Sequence, residues 1–153
     1  LAEVSDGLKN FSNIKGRLNI KQGIKGATLI DDTYNANPDS MKAAIDVLAA
    51  MPAPRIFVMG DMGELGEDEA AAMHAEVGAY ARDKGIEAAY FVGDNSVEAA
   101  ETFGAEGLWF ADKDPLIQVL SHDLPERATV LVKGSRFMKM EEVVEALTDK
   151  EVV

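Results

Sequence analysis

The chain has 153 residues, of which 47% are hydrophobic, enough to bury the core of one domain. Fifteen Lys and Arg against twenty-seven Asp and Glu leave a formal charge of -12, which disfavours nucleic-acid phosphates and anionic membrane surfaces as partners. There is no cysteine, so disulfides, thiolate metal sites and a thiol nucleophile are excluded.

No apolar run reaches the length of a membrane span, and the N-terminus lacks a basic stretch followed by an apolar signal core. A protein dissolved in the cytoplasm is expected. The chain starts at Leu1 and not at a methionine, which suggests a processed product or a piece of a longer protein.

In chain order, residues 1–16 read as an arm or interdomain linker and 17–153 as one domain. Residues 17–22 and 24–30 flank Gly23, and Gly26 adds a second flexible point, which predicts an N-terminal hairpin. Apolar runs of strand length then recur at 27–30, 55–59, 88–92, 107–110 and 129–132. Each is followed by a stretch of helical spacing, and alternating strand and helix implies a parallel sheet covered on both faces.

The first helix has the plainest signature. Asn37 suits the N-cap and Pro38 the first helical position, while Met41, Ala44, Ile45 and Leu48 share a face, with an end expected near 51. An alanine-rich helix is predicted over 68–84, stopping at Gly85, and shorter ones over 96–103, 115–121 and 140–147. The fold class expected is α/β, a Rossmann-like doubly wound sheet of six strands, mostly parallel with an antiparallel N-terminal strand.

The polar residues gather where such folds bind ligands, beyond the carboxyl ends of the strands. LIDDTYNANPDSM places Asp31, Asp32, Tyr34, Asn35 and Asn37 after the first main strand; GDMGELG follows the second, Gly93-Asp94-Asn95 the third, and KGSR the last. A strand-end carboxylate accepts ribose hydroxyls, and a tyrosine and an asparagine suit the face and edge of an adenine. The same Asp and Asn residues equally serve as turn and helix caps.

GDMGELG lacks the spacing of a dinucleotide loop, and its acids suit an amine better than a phosphate. Lys133, Ser135 and Arg136 suit a carboxylate or phosphate, or else form a solvated turn. His74 has no second histidine at ligand spacing and reads as a packed side chain, His122 as a contact with its helix end, and Trp109 as core.

Taken together, GRL at 16–18, LIDDTYNANPDSM, VMGDMGELG at 58–66, the following His74 and VLVKGSR resemble the C-terminal domain of the Mur ligases. Within that family the resemblance is greatest to the branch that adds D-alanyl-D-alanine to UDP-N-acetylmuramoyl-tripeptide. It implies two further domains, one binding the UDP-sugar peptide and one carrying a P-loop, a modified lysine and the Mg2+ sites. It also implies the six-stranded fold expected above.

By the same resemblance Arg17 approaches the ATP phosphates, Asp32 holds the ribose, and Tyr34, Asn35 and Asn37 border the adenine and a cleft between domains. Asp61, Lys133, Ser135 and Arg136 fall to the D-alanyl-D-alanine side. No GxxxxGK[ST] occurs in the chain, so it is expected neither to hydrolyse ATP alone nor to bind it tightly. Standing alone, it is expected to leave Asp32, Tyr34 and Asn35 accessible to solvent.

A phospho-aspartate signalling receiver also combines paired acids, a second aspartate and a lysine at strand ends. Its acid pair and phosphorylated aspartate are separated by a further strand and helix, whereas one predicted helix separates Asp32 from Asp61, and Lys133 precedes glycine. That spacing makes the receiver the lesser alternative.

Overall fold

The structure, a computed structural model, describes residues 19–33, 36–63 and 65–149. The 1–16 arm, Arg17, Tyr34, Asn35 and Glu64 lie outside the described residues.

Strand β1 (Asn19–Gln22) and strand β2 (Thr28–Asp32) form the expected antiparallel hairpin, joined by a 3-10 turn at Ile24–Gly26. There follow α1 (Pro38–Ala49), β3 (Arg55–Gly60), α2 (Glu67–Asp83), β4 (Ala88–Val92), α3 (Ser96–Phe103) and β5 (Gly107–Phe110). The chain then forms α4 (Lys113–Asp123), β6 (Thr129–Lys133), a 3-10 turn at Arg136–Met138 and α5 (Glu141–Leu147). The six strands lie in the order β1-β2-β6-β3-β4-β5, and every pairing except β1 with β2 is parallel.

Alternation along the strands divides the interior into two cores. Ile30, Phe57, Met59, Ala89, Phe91 and Leu131 face α1, α2 and α3, packing on Met41, Ile45, Leu48, Val77 and Phe103. Leu29, Ile56, Val58, Val92, Val130 and Val132 face the other way, onto Leu116 and Leu120 of α4 and Val143, Val144 and Leu147 of α5.

The first helix stops at Ala49, with Ala50 as its C-cap, close to the end expected near 51. Two expectations are corrected. Helix α4 runs over 113–123 and so encloses Pro115, which it tolerates because the amides of a first helical turn have no partner within the helix. Trp109 is not core. It is 40% exposed, because β5 is an edge strand, and its indole Nε1 donates to the Gly93 carbonyl at 2.8 Å.

Candidate functional site

Strand β6 lies between β2 and β3. The helix after β6, α5, packs on one face of the sheet, whereas those after β2 and β3, α1 and α2, pack on the other. A crevice opens where successive connections leave in opposite directions, and in open α/β sheets this is where ligands sit. The strand ends around it carry Asp32, Lys133 and the segment after Gly60, the residues that the sequence singled out.

Asp32 and Lys133 are register partners across β2 and β6, and both extend the stripe begun by Ile30 and Leu131. Lys133 Nζ donates to Asp32 Oδ2 at 2.8 Å, with residue exposures of 1% and 7%. An ammonium this deep is tolerable because a carboxylate meets it. The expected exposure of Asp32 is therefore corrected: the aspartate is buried against a lysine from the far end of the chain. Tyr34 and Asn35, expected beside it, lie outside the described residues.

Asn37 is the N-cap of α1, as expected. Its side chain accepts from the Ser40 amide at 2.9 Å, and Ser40 Oγ accepts in return from the Asn37 amide at 3.0 Å, forming a capping box. Pro38 opens the helix.

Asp61 is 5% exposed and organises the start of α3. Its Oδ1 accepts from the Ser96 amide at 2.9 Å and from Ser96 Oγ at 2.6 Å, and its Oδ2 accepts from the Asn95 amide at 3.1 Å. Gly93 makes room for this carboxylate: it holds φ at 115°, and a Cβ there would lie 2.4 Å from Asp61 Oδ1. Ser135 closes the other side, its amide and hydroxyl both donating to the Asp61 carbonyl, at 3.0 and 2.8 Å. Arg136 is exposed at the start of the 3-10 turn that follows.

His74, fully buried in α2, clasps the same loop. The Met62 amide donates to Nε2 at 3.0 Å, so the ring proton is on Nδ1, which donates to the Ala70 carbonyl at 2.7 Å. His74 is thus a packed side chain, as the sequence suggested. His122, in the last turn of α4, is exposed beside Asp123 at 2.9 Å.

Two contributors went unread in the sequence. Ser96 completes the Asp61 cap. Lys113, from α4, donates to the Met138 and Lys139 carbonyls at 2.8 and 3.3 Å and pairs with Glu142 at 3.1 Å, fastening the turn that carries Arg136. Both contacts join segments distant in sequence, and neither follows a local motif. Among the described residues no three His, Asp or Glu side chains converge to hold a metal, and no helix is long and apolar enough to cross a membrane.

Residues 16–136 match the family described as Mur ligase, glutamate ligase domain. The UDP-N-acetylmuramoyl-tripeptide--D-alanyl-D-alanine ligase of Escherichia coli K12 is 45% identical over 151 residues, which span 97% of this chain and 33% of that protein. The ligase of the same name from Haemophilus influenzae is 42% identical, over 98% of this chain and 34% of its own length. The chain therefore spans about a third of the curated relatives it matches.

Among solved structures, a MurF from Acinetobacter baumannii superposes with a TM-score of 0.75 at 34% identity, over 85% of this chain and 30% of that one. The MurF ligase of Thermotoga maritima in complex with ADP gives 0.74 at 27% identity, over 86% and 30%. With its sheet, its crevice and its sequence in agreement, the chain belongs to the Mur ligase family.

Proposed function

We propose that the chain is the C-terminal domain of a longer cytoplasmic ligase that uses ATP to join D-alanyl-D-alanine to UDP-N-acetylmuramoyl-tripeptide, a step in making a peptidoglycan precursor. The observation that carries the reading is the alignment of nearly the whole chain with the Escherichia coli ligase, an alignment that includes the strand ends of the crevice. In this reading the UDP-substrate and P-loop domains belong to the remaining two thirds of the polypeptide.

The reaction transfers the ATP γ-phosphoryl group to the tripeptide's terminal carboxylate, releasing ADP. The dipeptide amine then attacks the activated carbonyl, and phosphate leaves as the new amide forms. This chain supplies positioning. Lys133 occupies Asp32 Oδ2, and Oδ1 is assigned to accept a ribose hydroxyl.

The family resemblance assigns Tyr34, Asn35 and Asn37 to the adenine side and Arg17 to the phosphates. Asp61 and Ser135 shape the dipeptide side, where Arg136 presents its guanidinium to a carboxylate. Mg2+ is assigned to the P-loop domain of the longer ligase.

The comparisons lend no support to a signalling receiver. The structure adds a chemical objection, because both oxygens of Asp61 are committed to the cap of α3 and the residue is buried, so it presents no free nucleophile.

The test is an assay of the full-length polypeptide with ATP, Mg2+, UDP-N-acetylmuramoyl-tripeptide and one amine at a time. Phosphate release and a product heavier by one dipeptide less water are expected with D-alanyl-D-alanine. Preference for a single amino acid over the dipeptide would contradict the reading.

A further inference from the structure

We infer that Lys133 is a positioning residue for the nucleotide, acting through Asp32; the inference rests on the ATP-dependent activity proposed above. Sequence alone groups Lys133 with the dipeptide side, because it opens KGSR. The fold turns it the other way: it points along the stripe of Leu131 towards α1 and meets Asp32 on the neighbouring strand, in register.

Stability does not account for the pair. Two apolar side chains of similar volume would hold this spot at least as well, since the attraction of a buried ion pair is largely offset by the cost of removing both charges from water. Location separates it from a structural bridge, because it sits at the carboxyl end of the switch-point strand and not midway along it. By taking Oδ2 at 2.8 Å, Lys133 fixes the rotation of the Asp32 carboxylate and with it the direction of Oδ1. A preset acceptor binds hydroxyls without the cost of ordering it at the moment of binding.

The experiment uses the full-length ligase and compares Lys133→Met, Lys133→Gln and Lys133→Arg with the parent. ATP affinity is measured by direct titration, and KM is measured separately for ATP and dipeptide. Loss of one charge-assisted hydrogen bond to ribose predicts that Lys133→Met and Lys133→Gln weaken ATP on the order of tenfold, with the dipeptide KM within about twofold of the parent. Lys133→Arg, which keeps a charged donor for Asp32 where the glutamine amide is neutral and shorter, is expected to recover most of the loss.

KM and dissociation constants are read on folded enzyme, so a lower folded yield does not imitate the effect. Should Lys133→Met fail to fold, Lys133→Gln decides by the same criterion. Unchanged ATP affinity overturns the inference, as does a rise in the dipeptide KM with that for ATP held. A parent enzyme that prefers another amine defeats the substrate reading, while the ATP titrations still test Lys133.

Discussion

On the proposed function, Asp32 serves fold and ligand at once. Its buried pairing with Lys133 means that Asp32→Ala removes the proposed ribose acceptor and also strands an ammonium in the interior. In the 153-residue chain this substitution is expected to cost about 3–5 kcal/mol of unfolding free energy, measured by denaturant titration. In the full-length ligase, the molecules that do fold are expected to show a raised KM for ATP. A surface aspartate acting only as a turn cap would lose about 1 kcal/mol and leave ATP kinetics alone. Asn37→Ala serves as that control: it breaks the capping box and is expected to lower stability by about 1 kcal/mol. The two residues were not equally legible. Asn37 is read correctly from a four-residue window because a helix cap is a local contact, whereas the partner of Asp32 is 101 residues away and depends on the register of β2 with β6, which no local pattern encodes.

Between elements, two contacts set how the layers meet. Helices α2 and α3 approach closely at Gly78, where a Cβ would come within 2.1 Å of the Ala99 carbonyl oxygen, and Thr102 Oγ1 donates across the gap to the Ala75 carbonyl at 2.6 Å. Gly78→Ala therefore forces the helices apart, at an expected cost of about 1–3 kcal/mol in thermal or chemical unfolding. At the opposite end of the sheet from the crevice, Arg55 gathers three elements. It donates to the Ala49 carbonyl at the end of α1, to the Gly85 carbonyl after α2, and to Glu87 before β4.

That hydrogen bonding from Arg55 holds the Glu87 carboxyl below its usual value of 4.5. A depressed carboxylate contributes stability that is present above its unfolded value and lost as pH falls through its folded one. Glu87→Gln is thus expected to be less stable than the parent at neutral pH, the difference vanishing as pH is lowered below 4.5 and through the depressed value. The side chain is 41% exposed, so salt is expected to diminish the effect. Element order and type were legible because strand runs and helical spacing alternate cleanly. The exposure of Trp109 was not, because an apolar LWF run reads alike in a central strand and an edge strand, and strand order is a property of the whole sheet.

At the scale of the molecule, the proposed function makes the crevice one wall of a site. It gathers the Asp32–Lys133 pair, proposed above to meet the ribose, and a fastened turn bearing Arg136, yet the sequence holds no GxxxxGK[ST] to cradle a triphosphate. On that proposal the second wall belongs to the part of the ligase that this chain does not span, and catalysis requires the two to close on ATP and tripeptide. The most direct test is the distance between a spectroscopic label on an exposed position of this domain, such as Glu126, and one on the P-loop domain of the full-length enzyme. The account predicts that the distance shortens when ATP and UDP-N-acetylmuramoyl-tripeptide are both saturating. An unchanged distance in an enzyme that turns over normally under those conditions would contradict it.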